Sequence, residues 1–193
     1  MESKELRALQ APLKEGYRRN PLTALIQARA EGVITGGALS CHVETFAGTA
    51  VAGLHPAAGG DGSQACSADM LMQALVACAG VTMKSVATAM GLELQQVKVI
   101  GEGAWDARGT LGVDRTVPVG LTEVTLTFEI DSPAEPERLE KLVQLTERYC
   151  VIYQTLATPP KADQPVPDQA PGLTAASLPS GRHLIYESSG LAD

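Results

Sequence analysis

The stretch ACSADMLMQALVACAGVTMKSVATAM, residues 65–90, decides how this 193-residue chain folds, because it is apolar or small at nearly every position and holds two of the four cysteines, Cys66 and Cys78. From about Ala68 to Met90 the pattern predicts one long helix. Ser67 is its expected N-cap, Asp69 lies in the first turn where the helix dipole favours an anion, and Gly91 closes it. Leu71, Leu75, Cys78, Thr82 and Ser85 recur at helical spacing along one side, while Met72, Val76, Met83 and Met90 occupy others. A helix that is apolar nearly all round is buried on most sides, either in a large core or against another subunit. For a chain of this length, burial by a second subunit is the expectation.

Beyond this helix, residues 97–108 and 121–131 read as a hairpin joined by GTLGVDRTVPVG, residues 109–120. In its second strand Val124, Leu126, Phe128 and Ile130 alternate with Thr125, Thr127 and Glu129. The segment SPAE, residues 132–135, predicts a helix start, with Ser132 as N-cap, Pro133 at the first helical position and Glu135 completing a capping box. That helix sets Leu139, Val143, Thr146 and Cys150 along one side, with Leu142, Tyr149 and Tyr153 alongside. Cys150, like Cys78, is therefore expected on a core-facing side.

Before the long helix, GGDG at 59–62 reads as a connector, since it lacks the Gly-Lys-Ser/Thr ending of a phosphate loop. Residues 33–55, VITGGALSCHVETFAGTAVAGLH, suggest a short antiparallel meander ending at His55-Pro56. Residues 3–31 read as one or two short helices, with Leu6, Leu9, Leu13 and Tyr17 on one face and breaks at Pro12 and Pro21. After Leu156 the composition shifts, and TPPKADQPVPDQAPGLTAASLPSG at 158–181 carries half of the 12 prolines. The organisation expected is an N-terminal helical extension over 1–32, a main domain over 33–157, and a Pro-rich tail over 158–193 with room for a short final strand at RHLIYE.

The net charge of −7 and the lack of a clustered basic surface argue against a nucleic-acid partner. The amino terminus, MESKELRALQ, is charged rather than apolar, and no uninterrupted apolar run approaches the roughly 20 residues of a membrane span. A cytoplasmic protein with no membrane partner is expected. The cysteines at 41, 66, 78 and 150 form no CxxC and no tight Cys/His group, so neither a zinc site nor a disulfide scaffold is indicated, and no metal or cofactor is expected.

Two thiols on separate buried helices could meet, and such a pair supports a peroxide cycle in which one thiolate becomes a sulfenic acid and the other condenses with it to a disulfide. The attacking thiol must have a pKa below the usual value of about 8.5, and a helix N-terminus achieves this only within its first turn. Cys78 lies about ten residues into its helix, roughly 15 Å along the axis, so its own helix cannot activate it. On local grounds Cys66, just before the helix, is better placed. Cys78 would need a cation brought by the fold.

The run DMLMQALVACAGVTMKSVA at 69–87, followed by LTERYCVIYQTL at 145–156, resembles the osmotically inducible protein C and organic hydroperoxide resistance (OsmC/Ohr) family. The family motif is an acidic residue, a Leu/Ala-rich helix up to one cysteine, and a second cysteine on a later helix. The resemblance covers about residues 33–157, GGDG included. It implies an α+β fold, with antiparallel sheets packed around central helices in an intertwined homodimer. It also implies an antioxidant, stress-response enzyme: a thiol-dependent peroxidase for organic hydroperoxides, with Cys78 as peroxidatic and Cys150 as resolving cysteine. The implied reductant is a dithiol such as a lipoyl protein.

The chain departs from the family pattern in three places. Peroxidatic members use an arginine from the amino-terminal strands to hold the thiolate and a glutamate to orient that arginine, yet here no Lys or Arg occurs between Arg29 and Lys84. Ala68 stands where the glutamate is expected, with Asp69 next to it, and Val151 follows the second cysteine where many members have proline. The cation would have to be Arg18, Arg19, Arg29, Arg108, Arg115 or Arg148, or one of the histidines His42 and His55 near the expected strands. Asp69 reads as a first-turn stabiliser, Cys41 and Cys66 as structural, and Trp105, Tyr149 and Tyr153 as core or pocket wall. An alternative without catalysis is a homodimer that binds a small apolar or acyl ligand in an interfacial cavity.

Overall fold

The computed structural model describes residues 1–160, so most of the Pro-rich tail and the final strand expected at 182–187 lie outside the described residues. Helix α1 spans Ser3–Arg19 and is followed by a short 3-10 turn at Pro21–Ala24. Pro12 lies within α1 and does not break it, contrary to expectation, although it removes one backbone donor. Strands β1 (Gly32–Val33), β2 (Ser40–Thr45) and β3 (Gly48–Gly53) form the antiparallel meander, in register from Ser40 opposite Gly53 to Thr45 opposite Gly48. The short strand β4 (Ala65–Cys66) lies parallel to β3 and completes a four-stranded sheet.

Helix α2 spans Ser67–Met90 and ends at Gly91, whose φ of 64° places it in the left-handed region that stops a helix. Its N-cap is Cys66 rather than Ser67, and no side chain caps the first amides. With 24 residues it is also long and apolar enough, by length and composition, to cross a membrane. Polar residues such as Gln73 and Lys84 interrupt the run, which is why no uninterrupted apolar stretch of that length was visible in the sequence. In the fold α2 is a core helix that packs against the elements following it.

Strands β5 (Gln96–Ala104) and β6 (Glu123–Asp131) pair antiparallel from Gln96 opposite Asp131 to Ala104 opposite Glu123. The long connection between them contains the one-turn helix α3 (Ala107–Thr110). Helices α4 (Pro136–Tyr149) and α5 (Val151–Ala157) end the described chain. Helix α4 starts three residues later than SPAE suggested. Ser132 is not an N-cap: its hydroxyl donates to the Glu93 carbonyl and accepts from the Ala134 amide, tying the ends of the hairpin together. Pro136 takes the first helical position instead, with Glu135 before it.

The core is a sandwich of α2 between the β5–β6 hairpin and α4. Leu75, Ala79, Met83 and Ala87 form a fully or almost fully buried stripe on α2, spaced four residues apart as one helix ridge. Met83, Ala87, Leu92 and Leu142 cluster, with Val97, Phe128, Ile130, Leu139 and Val143 packed around them. Close approach of α2 to β5 requires glycine at position 101, since a Cβ there would lie 2.9 Å from the Val76 side chain. The far end of α2 is held by two arginines: Arg7 of α1 donates to the Ala89 carbonyl and Arg138 of α4 to the Met90 carbonyl. Positive charge at a helix C-terminus is favourable, so these contacts fix α1 and α4 to α2 where its carbonyls lack helical partners.

Candidate active site

The decisive local feature is the break between α4 and α5. Cys150 leaves the helical conformation, with φ −75° and ψ 111°, and serves both as the C-cap of α4 and the N-cap of α5. The expected continuous helix through Cys150 is therefore two helices. Backbone hydrogen bonds cross the break on both sides, from the Cys150 amide to Thr146 and from the Gln154 amide to the Cys150 carbonyl, each at 2.9 Å. The Gln154 side chain ties the pieces together by donating to the Glu147 carbonyl at 2.9 Å. Cys150 is fully buried, and its sulfur accepts from the Tyr153 amide at 3.5 Å.

Helix α5 packs against α2 so that its first amides meet Cys78, which is half-buried in the middle of α2. Burial pushes the Cys78 thiol pKa up. Four hydrogen bonds outweigh it: the Ile152 amide, then the Cys150 thiol, the Val151 amide and the Thr82 hydroxyl, so that the net displacement is downward. Burial also pushes the Cys150 thiol up. The Tyr153 amide draws it down, but the contact with Cys78 and the Cys78 charge raise it again, and the net displacement is upward. The paired thiols are thus displaced in opposite directions, Cys78 toward greater acidity and Cys150 toward less. In peroxide chemistry that is the division of labour between an attacking and a resolving cysteine.

No positive side chain among the described residues contributes to this shift. Arg29 pairs with Glu31 at 2.9 Å, Arg18 and Arg19 with Glu15, and Arg108 with Asp106, which holds that carboxyl down at about 2. Arg148 lies 5.6 Å over the ring of its neighbour Tyr149, and Arg115 is not among the groups acting on Cys78. His42 sits in β2 opposite Val33 and Val51. His55 accepts from the Ala57 amide through Nδ1 at 3.0 Å and meets Trp105 edge-on at 5.5 Å. Asp69 is exposed in the first turn of α2, about 13 Å along the axis from Cys78 at 1.5 Å per residue. The groups that lower the Cys78 pKa are therefore uncharged, and neither histidine nor Asp69 is among them.

Cys41 and Cys66 lie in β2 and β4, apart from the pair. Trp105 and Cys66 line one small cavity near the start of α2, and Tyr153 lines a larger one. Tyr149, expected in the core or a pocket wall, is instead exposed. The larger cavity, about 640 Å³, runs along Leu71 and Leu75 of α2 to Val124 and Leu126 of β6, and α5 supplies Tyr153 and Leu156 as its other wall.

Sequence reasoning placed Thr82 beside Cys78 but missed the amides of Val151 and Ile152. The signal for them was the position after the second cysteine: the proline that resemblance leads one to expect at 151 belongs to the first turn of a helix, so a new helix should start there.

The family model described as OsmC-like protein matches residues 60–164. Among solved structures, an OsmC-like protein from Mycoplasma pneumoniae is similar at 18% identity and a TM-score of 0.58, over 69% of this chain and 89% of that one. An organic hydroperoxide resistance protein from Elizabethkingia anophelis matches at 15% identity and a TM-score of 0.56, covering 70% and 91%. One from Legionella pneumophila matches at 18% identity and a TM-score of 0.52, covering 69% and 91%. At these identities the likeness is one of fold. No curated protein matches the chain.

Proposed function

The chain belongs to the OsmC-like protein family, and from that premise we propose that it is a homodimeric thiol peroxidase that reduces organic hydroperoxides through Cys78 and Cys150. The observation that carries this reading is a thiol, Cys78, held below its ordinary pKa by groups that include the second thiol, Cys150. The names of the solved relatives from Elizabethkingia anophelis and Legionella pneumophila, organic hydroperoxide resistance proteins, point the same way.

In the proposed cycle the Cys78 thiolate attacks the terminal oxygen of ROOH. The O–O bond breaks, the alkoxide leaves and takes a proton as ROH, and Cys78 is left as a sulfenic acid. The Cys150 sulfur then attacks the Cys78 sulfur. The S–O bond breaks, hydroxide leaves with the Cys150 proton as water, and a disulfide forms. A dithiol, such as a protein-bound lipoyl group, returns both cysteines to thiols. The amides of Val151 and Ile152 do what a cation would otherwise do, stabilising the thiolate before attack.

Treatment with tert-butyl or cumene hydroperoxide should remove two of the four free thiols per chain, and Cys78→Ser should lose none. Loss of two thiols per chain in Cys78→Ser as well, or no loss in the unaltered protein, would overturn the proposal. The cavity between α2, β6 and α5 favours a second reading, a non-catalytic protein holding a small apolar or acyl ligand. Alkylation rates against pH separate the two: the ligand-binding reading fits a Cys78 midpoint at or above about 8.5, the peroxidase a lower one.

A further inference from the structure

We propose that residues 1–31 form an arm that docks, through the apolar face of α1, on the body of a second copy of this chain, each copy covering the other. The inference rests on the homodimer of the reading above and not on its peroxide chemistry. The arm lies outside residues 60–164, which match the family model.

Two helices of the same pattern differ in what covers them. Helices α1 and α4 are equally amphipathic, yet α4 buries Leu142 and Thr146 completely whereas α1 has no buried residue. Of the α1 stripe Leu6, Leu9, Leu13 and Tyr17, only Leu6 is half-buried and the other three are exposed. The apolar character continues past the helix, where Leu22 is 74%, Leu25 73% and Ile26 81% exposed. The chain holds α1 near its start, where the Ser3 hydroxyl and the Arg7 guanidinium donate to the Ala89 carbonyl at 3.5 and 3.4 Å. A helix of 17 residues with Pro12 inside it is close to the length at which an isolated helix is only marginal in water, so the rest of α1 needs an apolar surface to lie on.

The extent of this face suits a protein partner. With each large exposed side chain offering on the order of 100 Å², the arm presents roughly 500 Å² of apolar surface. Covering it takes a matching area from the receiving surface, so two exchanged arms bury on the order of 2,000 Å², as much as a specific protein interface of standard size.

Charge identifies the partner. Residues 1–31 carry six basic and four acidic side chains, a charge of +2, which leaves −9 on residues 32–193 of a chain whose total is −7. Within α1, Lys4, Arg7, Lys14 and Arg18 follow one another at helical spacing along one flank of the apolar stripe. The arm is thus a cationic amphipathic element on an acidic protein, and a second copy offers it the opposite charge. An anionic bilayer, the other surface that suits such a helix, would repel the acidic body that the arm carries with it. Exchange of arms between two copies also closes on itself, as a two-fold dimer requires.

The test uses the full-length protein. Leu9→Asp combined with Leu13→Asp alters exposed positions only, and should raise the dimer dissociation constant in sedimentation equilibrium by roughly tenfold or more. Lys14→Glu combined with Arg18→Glu should raise it as well, by a factor that shrinks as salt is added. A photo-crosslinking residue in place of Tyr17, in a mixture of isotope-labelled and unlabelled chains, should join the arm of one chain to residues beyond 31 of the other. An unchanged dissociation constant in either pair, crosslinks confined to one chain, or binding to phosphatidylglycerol vesicles that the Leu9 and Leu13 substitutions abolish would overturn the proposal. Unaltered protein that stays monomeric would overturn the homodimer and the arm with it. A dimer that Val81→Asp dissociates but the Leu9 and Leu13 substitutions do not would overturn the arm alone.

Discussion

Cys78 sits deep in α2, where the dipole of its own helix has no purchase, and is acidified by groups three of which belong to the segment after α4. The expected consequence is a thiol that stays ionised below the ordinary range. Because the pKa is lowered, its reaction rate with iodoacetamide or hydroperoxide should rise with pH through a midpoint below about 8.5 and then level off. Thr82→Val keeps the side-chain shape and removes one donor to the sulfur. A hydrogen bond to a charged group contributes about 1.5–3 kcal/mol, so the midpoint should climb by roughly one to two units, read from alkylation rates in a Cys150→Ser background. A midpoint that does not move would remove Thr82 from the site. Thr82 was legible from spacing, one turn beyond Cys78. The donors on Val151 and Ile152 were not, because a backbone amide carries no residue signature and its direction depends on where a helix starts.

At the scale of the element, the break at Cys150 turns one expected helix into two and creates those donors. Val151→Pro probes this directly. Cys150 already has the extended conformation that a following proline requires, and proline suits the first position of a helix. The variant should fold with thermal stability equal to or above that of the unaltered protein, yet its Cys78 midpoint should rise because one amide is lost; a fall in the midpoint would contradict the assigned role. Leu142 makes the complementary case for the core, fully buried between α4 and α2. Leu142→Ala should cost about 2–5 kcal/mol in urea unfolding, and a cost near zero would mean that α4 does not seal the core. The helices, the meander and the hairpin were all readable from periodicity. Their ends were less so, since the Ser132 hydroxyl could cap a helix or bridge a turn and only the position of the Glu93 carbonyl selected the bridge.

For the whole molecule, the single chain leaves much of α2 uncovered: Val81 is 74% exposed and Leu71 is also open, as is Val124 on β6. Apolar side chains on the helix that carries Cys78 gain by being covered, which supports the proposed homodimer. Sedimentation velocity should give about twice the 20.1 kDa chain mass, and Val81→Asp should shift the protein toward monomer. An unaltered protein that sediments as a monomer at micromolar concentration would exclude this assembly.

The sequence by itself determined the long apolar helix and the two candidate sulfurs, because these depend on period and spacing, while the α+β class and the missing basic residue were read through its resemblance to the family. Only the tertiary structure decided that Cys78 can be acidified without that residue. Beside the Cys150 thiol and the Thr82 hydroxyl, the groups that lower its pKa are the backbone amides of Ile152 and Val151, which carry no residue signature and come near Cys78 because the chain breaks at Cys150 and α5 packs against α2.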